Sequence, residues 1–288
     1  MTQTPLAYLN PDFLESAEGR PLRILAEYLE PCRRFADEKV QDTVVFFGSA
    51  RINSRERAER ALKTLSARGE VHEAAAEYQK ELQRSRKAVE WARYYEEARE
   101  VARLLTEWSL GLASENHRFV VTSGGGPGIM EAANRGALEA GGKTIGLNIR
   151  LPFEQDANPY ITEGLQFEFH YFFMRKFWFA YLATAIVVFP GGFGTLDEMF
   201  ELLTLAQTNK LSKNTLVLLY GREYWNQILN LEPMQEWGAI AEQDLELLHW
   251  ADTPAEAFAH LRDHLVQHHL EPKTPQESAA PGIAKTHG

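Results

Sequence analysis

The stretch Ile186-Val187-Val188-Phe189-Pro190-Gly191-Gly192-Phe193-Gly194-Thr195-Leu196-Asp197-Glu198 constrains the fold more than any other part of the chain. Its apolar start reads as a buried strand, and Pro-Gly-Gly ends the ladder. Beyond the glycines, Leu196, Met199, Phe200, Leu202 and Leu203 recur at helical spacing. The unit is therefore strand, glycine loop, helix N-terminus. Glycine permits a tight turn and leaves backbone amides uncovered by side chains. First-turn N–H groups have no partner inside a helix, and the helix dipole adds partial positive charge there. Such a loop suits an anion. Asp197 and Glu198 stand in the same first turn, so a phosphorylated ligand held by the loop would meet a carboxylate at another of its parts.

A second unit of the same kind lies upstream. Residues 118–123 read as a buried strand that runs into Gly124-Gly125-Gly126-Pro127-Gly128-Ile129-Met130-Glu131 and an alanine-rich helix to Glu139. Pro127 before that helix and Gly141-Gly142 after it follow the usual asymmetry of helix ends. Thr43–Phe47 is a further strand, ending in Gly48-Ser49-Ala50-Arg51. Arg51 either reaches a phosphate there or is a surface residue after a tight turn.

The remaining chain alternates in the same way. Strands are expected at Thr144–Ile149, 165–169, Leu216–Tyr220 and, as a short edge, 247–250. Helices are expected over 170–183, 222–235 and 254–268. Residues 20–39 carry Leu22, Leu25, Leu29 and Phe35 at helical spacing, broken or bent at Pro31. Residues 54–113, rich in Arg, Glu, Ala and Gln, read as two or more long helices, one projecting or packing on a partner subunit; a solvated helical hairpin is the alternative. This alternation predicts an α/β chain with a mostly parallel sheet and helices on both faces. The expected organisation is a helical extension over 1–42, a nucleotide-binding domain over 43–268 with the helical insertion at about 54–113, and a disordered tail over 269–288. Ligands in such sheets bind outside the carboxyl ends of the strands, where both glycine loops fall.

Several function classes are excluded or disfavoured. A formal net charge of −10 argues against a nucleic-acid partner. Cys32 is the only cysteine, which excludes an intrachain disulfide and a cysteine-only zinc site. No apolar run is long enough to span a bilayer and the first residues do not resemble a signal peptide, so a cytoplasmic protein without a membrane partner is expected. Neither glycine loop is a Walker A motif, since neither contains Gly-Lys-Ser/Thr, and neither spells the dinucleotide fingerprint.

Two carboxylates and two cations stand out. Thr195-Leu196-Asp197-Glu198 satisfies the capping-box pattern, so Glu198 is expected either to cap its own helix or to act on a ligand. Asp197 would complement the helix dipole. Arg175-Lys176 sit among Phe172, Phe173, Phe177, Trp178 and Phe179, either facing a ligand or partner or snorkelling to solvent. His260, His264 and His268 share one helix face. A solvated face is the expected reading, without metal.

Together these motifs resemble the Lonely Guy (LOG) family. Pro190-Gly191-Gly192-Phe193-Gly194-Thr195-Leu196-Asp197-Glu198 matches its Pro-Gly-Gly-x-Gly-Thr-x-x-Glu signature, Arg175-Lys176 its Arg-Lys element, and Gly124–Glu131 resembles its other glycine loop. The likeness covers about residues 43–235, with the N-terminal extension and helical insertion of longer bacterial relatives. It implies a doubly wound, Rossmann-like fold that hydrolyses the N-glycosidic bond of purine nucleoside 5′-monophosphates, AMP or N6-modified cytokinin-type AMP, to free base and ribose 5-phosphate. No cofactor is implied. The family's older label, lysine decarboxylase, would call for pyridoxal phosphate on a lysine, and no lysine here is so marked.

By matching positions, Arg175 and Glu198 would be the catalytic pair. Lys176, Gly192, Gly194, Thr195 and Thr204 would contact the nucleotide, with Ser49, Gly125, Gly126, Gly191, Phe193, Leu196 and Asp197 completing the substrate-binding set. Glu154, in Pro152-Phe153-Glu154, would lie near the base. Met174 directly precedes Arg175, where short plant-like members have Met-His-x-Arg-Lys. The competing expectation is a carrier that holds a nucleotide or pterin cofactor without hydrolysis, which would have no need of the Arg175–Glu198 pair. A chiefly structural assembly protein would rest only on the 54–113 segment. The aromatic helix around 171–181 suggests a homodimer or larger homo-oligomer.

Overall fold

The computed structural model describes residues 4–68, 75–151, 156–208, 210 and 214–270. In chain order the main elements are α1 (Arg20–Asp37), β1 (Thr43–Phe47), α2 (Arg55–Arg68), α3 (Ala75–Leu110), β2 (Val120–Ser123), α4 (Ile129–Glu139) and β3 (Thr144–Ile149). There follow β4 (Gln166–Phe169), α5 (Phe172–Tyr181), β5 (Ala183–Val188), α6 (Phe193–Gln207), β6 (Leu216–Tyr220), α7 (Arg222–Ile228), β7 (Leu248–Ala251) and α8 (Pro254–Leu265).

All seven strands form one sheet in the order β4-β3-β2-β1-β5-β6-β7, and every pairing is parallel. The central strands β2, β1, β5 and β6 are short, largely apolar runs because both faces are covered, whereas the edge strand β4 alternates exposed and buried residues. Alternate residues serve opposite faces. Val44, Phe46, Val121, Val187 and Leu218 pack under α3, α4 and α8, against Ala98, Val101, Leu105, Ala133 and Leu261. Val45, Phe47, Ile186 and Val188 pack on the other side against Phe35 of α1, Trp178 and Phe179 of α5, and Met199 and Leu202 of α6. The chain reverses direction across the sheet at β1, which lies between β2 and β5. The loops leaving these three strands therefore meet at one crevice.

The 54–113 segment is not a solvated hairpin. Tyr94, Tyr95, Ala98, Val101, Ala102 and Leu105 of α3 are all buried in the core. Their spacing is helical, and the intervening charges lie outward. The later part of α3 is thus the crossover helix between β1 and β2. Gly136 of α4 lets the two helices touch, since a Cβ there would overlap the carbonyl of Arg99.

Other expectations need adjustment. The helix α1 runs through Pro31 without a break. Proline removes the N–H that would bond the carbonyl four residues back. That carbonyl, on Glu27, instead accepts the indole N–H of Trp178 at 2.9 Å. The inward stripe of α1 is Ile24, Tyr28, Cys32 and Phe35, whereas Leu22, Leu25 and Leu29 face outward. The expected helix over 222–235 is divided: α7 ends at Ile228, and a separate turn spans Glu232–Glu236 with Pro233 in its first turn. At the far end, α8 gives way to a π-helical turn, Val266–Leu270, so residues 269 and 270 of the expected tail are structured. No helix among the described residues is long and apolar enough to cross a membrane.

Candidate functional site

Three loops leave the carboxyl ends of β1, β2 and β5 and are stitched together by backbone bonds. Ser49 is the knot. Its N–H donates to the carbonyl of Pro190 at 3.0 Å, and its own carbonyl accepts from the N–H of Ile129 at 3.1 Å. Gly128 makes the second contact possible, with φ of +73° and the backbone of Ser49 and Ala50 pressed where a side chain would stand. Arg51 is exposed beside this junction.

The loop after β5 enters α6 at Phe193, with Gly192 as N-cap. The first bond of the helical ladder runs from Leu196 N to Gly192 O at 3.0 Å, so the N–H groups of Phe193, Gly194 and Thr195 precede the ladder. Gly192 and Gly194 are exposed with open space where a Cβ would be, and Phe193 is 93% exposed. Gly191 is buried and closes on the buried Thr195, whose hydroxyl occupies the place of a Gly191 side chain. Leu196 is half-buried. The hydroxyl of Tyr224 donates to the Gly191 carbonyl at 2.8 Å and braces the loop from α7.

This helix start corrects the capping-box expectation. Thr195 is the third residue of α6 rather than its N-cap, which places Glu198 in the second turn, beyond the orphan amides. Glu198 turns instead to α5, where its Oε1 lies 3.1 Å from Arg175 Nη1. Both side chains are mostly enclosed, at 16% and 11% exposure. Arg175 is held on every side: Nε donates to the carbonyl of Leu147 at 2.7 Å, and the guanidinium lies over the Phe179 ring. Its Nη2 is so close to Gly124 that a Cβ there would stand 2.6 Å away. Burial pushes the Glu198 carboxyl above its ordinary value, with Arg175 opposing the rise. Burial lowers the Arg175 pKa, with Glu198 opposing. A guanidinium keeps its charge through such a shift.

Lys176, the next residue of α5, meets the same helix α6. Its Nζ lies 2.9 Å from Asp197 Oδ1 and 2.7 Å from Glu201 Oε2. Burial would lower its pKa, but these two carboxylates outweigh that and raise it. Lys176 and Asp197 thus join α5 to α6. Thr204 is exposed and donates to the Phe200 carbonyl of its own helix at 2.7 Å. It stands nine positions beyond Thr195, about 13 Å along the axis, and is not brought to the loop. Glu154 lies outside the described residues.

Gly125 and Gly126, in the loop after β2, are buried and supported by side chains that pattern reading passed over. Asn158 donates its amide to the carbonyls of Gly125 and Gly126, each at 3.1 Å, and to Asn134 Oδ1 at 2.9 Å. Ser123 donates to the same Asn134 oxygen at 2.6 Å and accepts the Gly125 N–H at 3.0 Å. Asn134 is fully buried in an otherwise alanine-lined helix. That mismatch of polarity was the available signal. Of the three histidines expected on one solvated face, His264 is half-buried and bonds the Asn214 carbonyl at 2.7 Å; among the described residues no group of three or more His, Cys, Asp or Glu could hold a metal.

A family model described as possible lysine decarboxylase matches residues 130–261. A probable cytokinin riboside 5′-monophosphate phosphoribohydrolase of Arabidopsis thaliana is 28% identical over 149 residues, covering 52% of this chain and 74% of that protein. A cytokinin riboside 5′-monophosphate phosphoribohydrolase of Rhodococcoides fascians is 32% identical over 114 residues, or 38% of this chain and 56% of the relative. Among solved structures, a Moco carrier protein from Chlamydomonas reinhardtii aligns over 79% of this chain and 99% of its own, with 20% identity and a TM-score of 0.43. The signature loop, the Arg-Lys element and these relatives together support a likeness to the Lonely Guy (LOG) family.

Proposed function

We propose that the protein hydrolyses the N-glycosidic bond of purine nucleoside 5′-monophosphates, AMP or its N6-modified cytokinin-type forms, releasing the base and ribose 5-phosphate. The observation that carries this reading is the enclosed Arg175–Glu198 pair, set one helical turn from an open glycine loop. From Thr195 to Glu198 the helix rises about 4.5 Å. A phosphate on the amides of Phe193, Gly194 and Thr195 would therefore leave the sugar alongside Glu198. Ser49, Gly191, Gly192 and Leu196 form the surroundings of that phosphate, and Gly125 and Gly126 the opposite wall.

In this reading the bond between the anomeric carbon and N9 breaks as positive charge develops on the ribosyl ring. The Glu198 carboxylate stabilises that charge and orients the attacking water. The water oxygen becomes the anomeric hydroxyl, and its proton balances the one taken up by the departing purine. Arg175 holds Glu198 in place and keeps it ionised in an enclosed site. Phosphate binding remote from the reacting bond fixes the sugar's position. Lys176 and Asp197 set the spacing of α5 and α6. The curated relatives bear names of this activity, which supports the reading.

The test is incubation with AMP and N6-isopentenyl-AMP, with free base and ribose 5-phosphate followed by chromatography, beside Glu198→Ala. Release by wild type and its loss by at least about 100-fold in the variant are expected. Binding of AMP without release of base would replace this reading with a carrier.

We also infer that the chain assembles as a homodimer or larger homo-oligomer. Leu22, Leu25 and Leu29 of α1 and Phe172 and Phe173 of α5 are each about half exposed, an apolar surface of the kind that marks an interface. A monomeric mass by light scattering at micromolar concentration would refute it.

A further inference from the structure

We propose that Arg51 supplies the positive charge of the phosphate site and so selects 5′-phosphorylated nucleosides over unphosphorylated ones; this deepens the hydrolase reading above and rests on it. The loops that meet at the crevice are residues 48–54, 124–128 and 189–192, and Arg51 is the single charged residue on them. Its backbone is anchored on both sides. The Arg51 N–H donates to Ser49 Oγ at 3.1 Å, and Ser49 is itself bonded to Pro190 and Ile129. The next residue, Ile52, is buried in the core. The Arg51 side chain is exposed, and among the described residues its guanidinium has no hydrogen-bond or ion-pair partner. That is unusual in a chain with 40 acidic residues against 30 basic ones, where nearby Arg57 and Arg175 are both paired with glutamates.

The charges around the proposed phosphate position call for such a cation. A phosphate monoester carries about −1.5 to −2 charges at neutral pH. The amides of Phe193, Gly194 and Thr195 offer only partial positive charge. On the same helix stand Asp197, Glu198 and Glu201, whose ion-pair partners among the described residues are Arg175 and Lys176. Three carboxylates against two cations leave this group negative before any phosphate arrives. Neither cation can neutralise a dianion without releasing a carboxylate. Arg51 is rooted on the loop of the neighbouring strand, beside the contact between Ser49 and Pro190, and its planar fork can take two phosphate oxygens at once. A nucleoside without the phosphate gives that fork nothing to hold.

The test uses the full chain as wild type, Arg51→Gln and Arg51→Lys. Dissociation constants for ribose 5-phosphate and adenosine are measured by calorimetry, beside steady-state kinetics on AMP. In Arg51→Gln, ribose 5-phosphate is expected to bind about 10- to 100-fold more weakly. Adenosine, which lacks the phosphate, binds the variant and wild type alike to within about twofold. KM for AMP rises by about 10- to 100-fold with kcat within about threefold of wild type, because the contact is remote from the breaking bond. Arg51→Lys keeps the charge without the fork and retains an intermediate affinity. Every substitution keeps the N–H bonded to Ser49, and the side chain is exposed, so both variants fold. Unchanged binding of ribose 5-phosphate in Arg51→Gln overturns the inference, and so does an equal loss for adenosine, which would mark a merely structural role. A wild type that binds AMP but releases no base refutes the hydrolase reading instead, and the dissociation constants then test Arg51 on their own.

Discussion

Glu198 pairs across two helices with Arg175, at 3.1 Å, and so is directed away from the N–H groups at the start of its own helix. Burial lifts its pKa above the ordinary 4.5, against the pull of the guanidinium. The proposed mechanism needs the carboxylate form, so the rate falls as pH drops through the raised value. The acid limb of kcat for base release is therefore expected above pH 4.5, and Arg175→Met should move it higher still. A limb at or below the ordinary carboxylate value would contradict this account.

Tyr224 braces the signature loop through the Gly191 carbonyl. Tyr224→Phe deletes one hydrogen bond, worth about 1 kcal/mol, and frees the loop that would hold the phosphate. A rise in KM for AMP of about three- to tenfold with little change in kcat is expected. Steady-state kinetics check it, and an unchanged KM would mean that the loop needs no such brace.

Asn134 is the hub of a buried amide network: Ser123 and Asn158 donate to its oxygen, and its nitrogen donates to the Ile145 carbonyl and to the Thr144 hydroxyl. Asn134→Ala leaves several of these groups unpaired and is expected to cost about 2–4 kcal/mol. Urea denaturation gives the difference directly. A loss below about 0.5 kcal/mol would show that water replaces the amide.

His264 is buried enough that its pKa falls from 6.5 to about 4, through desolvation first and then His268 and His249, while its bond to Asn214 works the other way. Between these values the unfolded chain binds a proton that the folded protein does not. Its stabilising contribution is present in full above pH 6.5, declines as pH falls towards 4, and is constant below. Allowing for solvent screening, the effect is on the order of 1 kcal/mol. Melting temperatures at neutral pH and near pH 4.5 should converge between wild type and His264→Gln as pH falls; parallel shifts would exclude this role.

The strand–loop–helix order is legible in the sequence because apolar runs of strand length alternate with helical spacing and glycine marks each turn. The strand at Thr43–Phe47 has the same bounds in the sequence reading and in the structure, since neighbours such as Asp42 and Gly48 end the apolar run sharply. Charge density hid the role of α3. Its inward stripe, Tyr94, Tyr95, Ala98, Val101, Ala102 and Leu105, is continuous only after the intervening Glu and Arg residues are turned to solvent. Asn134 and Asn158 belong to no motif, because their task is to satisfy groups far away in sequence.

By itself, then, the sequence determined an α/β chain with two glycine loops at strand ends, and singled out Arg175, Lys176, Asp197 and Glu198 as the charges beside them. Those facts follow from local chemistry, namely side-chain periodicity and the backbone freedom of glycine. Tertiary structure decided which charges meet. It gave Glu198 to Arg175, Lys176 to Asp197 and Glu201, and left Thr204 on its own helix. Local pattern allowed Glu198 to cap α6. The outcome turned on where that helix begins and on how closely α5 packs beside it, both set by long-range burial against the sheet.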